Sequence, residues 1–280
     1  MTRPNFHRIG VVANLNKEGV RPFLAEFVPD LVKEGFEVFV EPSMQPYLGS
    51  LDGLQIGVAK QCDVIVSLGG DGTILFTARQ YADLEIPILG INVGRLGFLA
   101  ETFKSDTIER LKNGRFRIQK RMRIVAAMTE GERVVQKFSA LNDVVVHGAG
   151  FSRMVTLRTI VDGRLLREYR ADGVIIATPT GSTAYSLSAG GPLMEPTMEA
   201  ILVTPLCPHT MNLRPMVLDP AERIEIHVVG ARSRIIVTVD GQEGSYLEEG
   251  QHILVEKSEK VTKLVVPEDY DFFSLLREKL

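Results

Sequence analysis

The sequence predicts an α/β N-terminal domain with a parallel sheet, followed by a β-rich C-terminal domain. Three observations lead there. Strand-like and helix-like runs alternate over the first 115 residues, the pattern of a doubly wound parallel sheet. From residue 116 onward strand-like runs dominate, many separated by short turns with Gly or Asp. The chain has 280 residues, 45% hydrophobic and 24% charged, which is long enough for two cores and excludes global disorder.

The elements follow in order. Residues 7–13 (HRIGVVA) read as a buried strand. Val20, Phe23, Leu24, Phe27, Val28, Leu31 and Val32 then recur at helical spacing up to Gly35. Pro29 lies inside that pattern, so a kink or a late break is expected there. Residues 36–40 form a second strand, and 63–68 (DVIVSL) a third whose unbroken apolar run fits burial on both faces. A helix over 73–82 and a strand over 86–91 follow. The second part contains RIVAAM, RVVQKFSALNDVVVH, MVTLRTIV, GVIIAT, RIEIHVV, RIIVTV and HILVEK. The tail, 270–280, returns to a helical pattern through Phe272, Phe273, Leu275 and Leu276. The expected domains are therefore 1–115, 116–267, and a segment 268–280 that packs back on the first.

Composition narrows the function. A net charge of −3 without any Lys- or Arg-rich tract argues against a nucleic-acid partner. Two cysteines, Cys62 and Cys207, are too few for a disulfide framework and fit a reduced, cytoplasmic setting. The N-terminus carries no signal-peptide apolar region. Residues 174–194 are uncharged, but they are rich in Thr, Ser, Gly and Pro and do not read as a membrane span. His7, His147, His209, His227 and His252 show no metal-ligand spacing, so no structural zinc is expected.

Two segments carry chemistry. The strand DVIVSL runs into Gly69-Gly70-Asp71-Gly72-Thr73 and then a helix. Glycines at such a turn let backbone approach a ligand, and a helix start offers N–H groups to phosphate. It is neither a Walker A loop nor a dinucleotide fingerprint. A carboxylate repels phosphate, so Asp71 fits as a proton acceptor for a hydroxyl, as a group facing nucleotide-borne Mg²⁺, or as a helix N-cap. The second segment, Thr178-Pro179-Thr180-Gly181-Ser182-Thr183-Ala184-Tyr185-Ser186-Leu187-Ser188, follows the strand that opens at Asp172-Gly173. Its hydroxyls suit sugar, base edge or phosphate, and Tyr185 offers a ring face. Ser182 lacks the elbow of a serine hydrolase.

With these blocks, and with Gly90-Ile91-Asn92-Val93-Gly94-Arg95-Leu96-Gly97-Phe98-Leu99, Leu141-Asn142-Asp143, Pro208-His209-Thr210 and Asp240-Gly241-Gln242, the sequence resembles the NAD kinases over nearly its whole length. Gly69 to Thr73 is shared more widely, with phosphofructokinase-like and diacylglycerol-type lipid kinases; the block from Asp172 through Tyr185 to Gly190-Gly191-Pro192 is the more specific. The resemblance implies transfer of the γ-phosphoryl of ATP to the 2′-hydroxyl of the adenosine ribose of NAD, with Mg²⁺ or another divalent cation arriving on ATP and no tightly bound cofactor. It implies Asp71 as the proton acceptor and a phosphate loop of Gly69, Gly70, Gly72 and Thr73. Substrate contacts are implied for Gly72, Asn142, Asp143, Arg153, Arg170, Asp172, Thr183, Ala184, Tyr185, Ser186, Leu187, Ser188 and Gln242. It also implies a homodimer or homotetramer, with no nucleic-acid or membrane partner. Many members carry Glu where this chain has Asp143, and Phe76 replaces a basic residue found in some.

Overall fold

A computed structural model describes residues 6–57, 61–94, 97–102, 106–150, 154–210, 212–231 and 233–280. The chain divides into two compact units, Met1–Lys120 with Thr262–Leu280, and Arg121–Val261.

The first unit begins with β1 (Arg8–Ala13), α1 (Val20–Lys33), β2 (Glu37–Val40), α2 (Gln45–Leu48), β3 (Leu54–Ile56), β4 (Val64–Gly69), α3 (Asp71–Gln80), β5 (Ile88–Asn92), β6 (Glu101–Thr102), α4 (Thr107–Lys112) and β7 (Phe116–Arg121). Helix α1 continues through Pro29 to Lys33 without the late break that was one of the two expectations there, the other being a kink. Leu24, Phe27, Val28 and Leu31 are fully or almost fully buried along it, and their packing outweighs the backbone hydrogen bond a proline removes. Strand β3 had no sequence signal, being three residues at a sheet edge. Helix α3 starts two residues before the expected position, so Asp71 lies in its first turn and Gly70 is the N-cap.

The second unit contains β8 (Ile124–Glu130), β9 (Arg133–Ala140), β10 (Asp143–Gly148), β11 (Val155–Val161), β12 (Arg164–Ala171), β13 (Gly173–Ala177), α5 (Tyr185–Ser188), β14 (Ile201–Leu206), β15 (Met216–Leu218), β16 (Ile224–Ala231), β17 (Ile235–Val239), β18 (Glu243–Leu247) and β19 (Gln251–Lys257). They form two six-stranded sheets, in the orders β15-β14-β13-β10-β17-β18 and β12-β11-β16-β19-β8-β9. One core joins their inner faces, with Ile124, Ala126, Ile226 and Ile253 from one sheet and Val144, Val146, Ile176 and Val237 from the other. The run RVVQKFSALNDVVVH divides between β9 and β10, which lie in different sheets. Leu141 and Asn142 make that crossing.

The chain then returns to the first unit as β20 (Thr262–Pro267) and α6 (Phe272–Lys279). Strand β20 lies between β5 and β7 in the sheet ordered β3-β2-β1-β4-β5-β20-β7, with β6 beside β5. The Asp271 carboxylate caps α6 by accepting the N–H groups of Phe273 and Ser274. Lys279 Nζ lies 6.0 Å from the centre of the Phe98 ring. Among the described residues no helix is long and apolar enough to cross a membrane.

Candidate active site

In the first unit, β4 is buried along its whole length and delivers Gly69 to the turn before α3. A side chain at Gly69 would collide with Thr73, so the turn closes only on glycine. The N–H of Gly70 donates to Thr73 Oγ1 at 3.4 Å, and Gly70 O accepts the N–H of Thr73 at 2.9 Å. Lys17, in the segment between β1 and α1, donates from Nζ to Gly69 O and to Asn92 Oδ1, the latter at 2.8 Å. A Cβ on Gly70 would lie 3.2 Å from that ammonium. The loop therefore joins a helix N-terminus to a fixed cation, a combination that favours anionic oxygens.

The Asp71 carboxylate faces the 97–100 segment. Its Oδ2 accepts the Phe98 N–H at 2.7 Å, and its Oδ1 accepts those of Leu99 and Ala100 at 3.1 Å each. Gly97 approaches so closely that a Cβ there would strike the carboxylate. The helix-cap reading of Asp71 is thus replaced, since the side chain reaches across to another segment and Gly70 takes the cap position. A carboxylate has about four lone-pair positions, and three N–H groups leave one for a hydroxyl.

In the second unit, Asn142 and Asp143 stand at the start of β10, beside the turn that carries Gln242. Asp240 and Gly241 have φ of 51° and 63°, the left-handed pair of a tight hairpin turn. The buried Asp240 carboxylate also accepts the N–H groups of Leu141, Asn142 and Asp143 at 3.0, 2.7 and 3.1 Å. Asn142 O accepts the Thr178 N–H at 2.8 Å, and Gly181 packs on the Asn142 backbone too closely for any side chain. Thr178 Oγ1 donates to Leu141 O at 2.6 Å and accepts the Gly181 N–H at 3.1 Å. Segments 141–143, 178–181 and 240–242 are thereby tied into one surface, with Gln242 exposed on it.

Asp143 is buried, at 4% exposure. Burial and the neighbouring charge of Asp240 push its carboxyl up to about 7. Burial also raises Asp240, against the pull of its three N–H donors and of the Arg123 charge.

The hydroxyls of the uncharged segment have divided tasks. Ser182 Oγ bridges the Met194 N–H and C=O, and Ser186 Oγ pairs with Thr204 Oγ1 at 2.9 Å. Both serines are fully buried, so their hydroxyls hold the fold. Thr183, Ala184 and Leu187 are partly exposed, and Tyr185 and Ser188 are exposed. Asp172 and Tyr185 line a cavity of about 320 Å³ together with His147, Leu206 and Cys207. Arg170 is exposed nearby in sequence, and Arg153 lies outside the described residues.

Residues 9–114 match the model of the ATP-NAD kinase N-terminal domain, and residues 141–266 that of the ATP-NAD kinase C-terminal domain. The chain belongs to the ATP-NAD kinase family. The NAD kinase of Desulforamulus reducens is 40% identical over 279 residues, covering 97% of this chain and 96% of the relative. That of Caldanaerobacter subterraneus subsp. tengcongensis is 38% identical over 286 residues, covering 98% of both. Among solved structures, yeast NADH kinase complexed with NADH has a TM-score of 0.86 and 27% identity, covering 98% of this chain and 86% of that one. An NAD kinase from Archaeoglobus fulgidus in complex with ATP has a TM-score of 0.72 and 28% identity, covering 97% and 98%.

Three residues outside the expected contacts support these two surfaces: Lys17 at the glycine turn of the first unit, and Asp240 and Arg123 in the second. Lys17 is alone in a loop and carries no motif. Asp240 reads as turn chemistry, and its grip on 141–143 becomes visible only in three dimensions. Arg123, at 1% exposure, donates to Ser139 Oγ at 3.0 Å and places its charge near Asp240.

Proposed function

We propose that the protein transfers the γ-phosphoryl group of MgATP to the 2′-hydroxyl of the adenosine ribose of NAD, giving NADP. The observation that carries this reading is the Gly69–Thr73 turn, where a fixed ammonium, a helix N-terminus and a nearly saturated carboxylate meet. Gly69, Gly70, Gly72 and Thr73 with Lys17 receive phosphate oxygens. Asp71 accepts the proton that leaves the ribose hydroxyl through its remaining lone pair.

Phosphoryl transfer has a loose transition state, so positioning and charge compensation supply most of the acceleration. The residues at the loop do not make a cage for a resident cation, because Asp71 is already held by three N–H groups. The divalent ion therefore belongs to the nucleotide substrate. Asn142, Asp143, Asp172, Thr183, Ala184, Tyr185, Leu187, Ser188 and Gln242 contact the dinucleotide, with Arg153 and Arg170 near its phosphates. Ser186 acts through the position of its neighbours.

The chain works in the cytoplasm as a homodimer or homotetramer. Exposed Leu165 and Val217, at 61% and 51%, are apolar surface that a second copy would cover. Native mass in solution tests the assembly. The activity is tested by ATP-dependent formation of NADP, read by an NADP-specific dehydrogenase, beside an NAD analogue lacking the 2′-hydroxyl. NADP from NAD and no phosphorylated product from the analogue is the expected outcome. Equal turnover of the analogue would place the chemistry at another atom.

A further inference from the structure

We propose that Glu225, His227 and His252 form a binding site for one zinc-class divalent ion, separate from the phosphoryl-transfer machinery. Glu225 and His227 are two apart on β16 and face the same way, because side chains alternate along a strand. Their neighbours Ile224 and Ile226 enter the core, which leaves this pair on the outer face of the sheet. His252, on β19, stands directly opposite His227 in the antiparallel register. One ligand atom from each residue lies within 4.8 Å of the others. The site is not in the sheet that holds β10, the strand opened by Asp143.

The chemistry of the trio favours a cation. The two imidazole rings stack with centroids 4.4 Å apart and planes 11° from parallel. Each imidazole carries a ring nitrogen whose lone pair can bind a metal. His227 Nε2 lies 3.2 Å from Glu225 Oε2, so these two ligand atoms already face each other. His252 Nε2 lies 2.8 Å from Thr129 Oγ1, whose hydroxyl also lies 3.3 Å from His252 O. Thr129 can turn to that carbonyl and leave the ring nitrogen to the ion. Arg158, paired with His227 across the sheet, is bound to Glu168 at 2.8 Å, so its charge is compensated.

Zinc sits about 2.0–2.1 Å from imidazole nitrogen and about 2.0–2.2 Å from carboxylate oxygen. Two ligands on one ion can therefore be no more than about 4.3 Å apart, and because a ring nitrogen's lone pair lies in its ring plane, the two near-parallel imidazoles turn out of their stack to face a common ion. Two histidines and a carboxylate leave a coordination position for water. The histidines are distant in sequence and joined only by register, which is why no ligand spacing announced them.

The test uses chelator-treated full-length protein titrated with Zn²⁺ against a chromophoric chelator, and with Co²⁺ followed by its visible absorption. One equivalent bound at micromolar affinity or tighter, with a Co²⁺ band, is expected. His227→Ala and His252→Ala should each weaken binding at least tenfold. Glu225→Gln, which keeps shape, should weaken it while leaving the thermal midpoint in chelator unchanged. Activity with MgATP in zinc-free buffer reports that each variant is folded. Millimolar binding to the wild type, or affinity unchanged in these variants, overturns the proposal. Loss of binding in Cys207→Ser with these variants silent does the same.

Discussion

Asp71 Oδ2 accepts the backbone N–H of Phe98 at 2.7 Å, so the acidic residue of the glycine turn is fastened to a segment 27 positions along the chain. This contact aims the carboxylate, and it also couples whatever binds at Phe98 to the group proposed to take the proton. Asp71→Asn keeps one oxygen for the segment and removes basicity. We expect kcat to fall by roughly 10²–10⁴ while NAD still binds. Steady-state kinetics across a Mg²⁺ titration check this, beside the thermal midpoint. Recovery of rate at high Mg²⁺ would assign Asp71 to electrostatics, and a near-native rate would remove it from the reaction.

Gly97→Ala tests the other side of the same contact. Its Cβ meets the Asp71 carboxylate, which must swing away. Overpacking of this kind costs about 1–3 kcal/mol. The expected outcome is a folded protein with a lower thermal midpoint and a kcat reduced toward that of Asp71→Asn. Wild-type kcat in a well-folded Gly97→Ala would show that the aim of the carboxylate does not matter.

Lys17→Met removes the ammonium at the turn and keeps the apolar stem. A charge-assisted hydrogen bond contributes about 1.5–3 kcal/mol. KM for MgATP or kcat should therefore worsen by roughly 10–150-fold, with KM for NAD less affected. Isotherms for ATP and NAD measured separately give the answer, and equal losses for both ligands would count against a phosphate role.

The raised carboxyl of Asp143 makes two predictions of opposite sense. Unfolded, the group titrates near 3.8; folded, near 7. The native state binds the extra proton between these values, so stability is fullest below about 4 and declines as pH rises through 7. Binding of a ribose or amide donor by the ionised carboxylate improves over the same rise. Asp143→Asn should flatten both the fall in thermal midpoint between pH 5 and 8 and the fall in KM for NAD. A wild-type-like slope in the variant would assign the pH dependence to other groups.

How far these features could be read in advance differs from residue to residue. The turn at 69–73 was legible because glycine and aspartate identities fix backbone options and charge locally. The alternation before residue 115 and the strand-rich region after it follow from side-chain period. The partner of Asp71 was not legible, since its three N–H donors are set by the path of a distant segment. Nor was the division of 133–148 into two sheets, because apolar alternation continues across Leu141 and Asn142. Asp240 shows a further limit: a dipeptide that suffices for a turn hides a carboxylate that organises three other residues. Ser186 shows the converse, for a hydroxyl in a substrate-like segment is taken up by Thr204.

The position of β20 between β5 and β7 has a consequence for the order of synthesis. The ribosome releases the whole of 121–261 after β7 and before the strand that joins β7 to the rest of its sheet. At about 5–20 residues per second, that interval is on the order of ten seconds. During it the glycine turn has emerged, but β5 and β7 still lack their common neighbour. The unit bearing the glycine turn thus completes its hydrogen-bonded sheet after the sandwich strands have been made. A nascent chain arrested near residue 261 would expose two open strand edges to chaperones or to other chains.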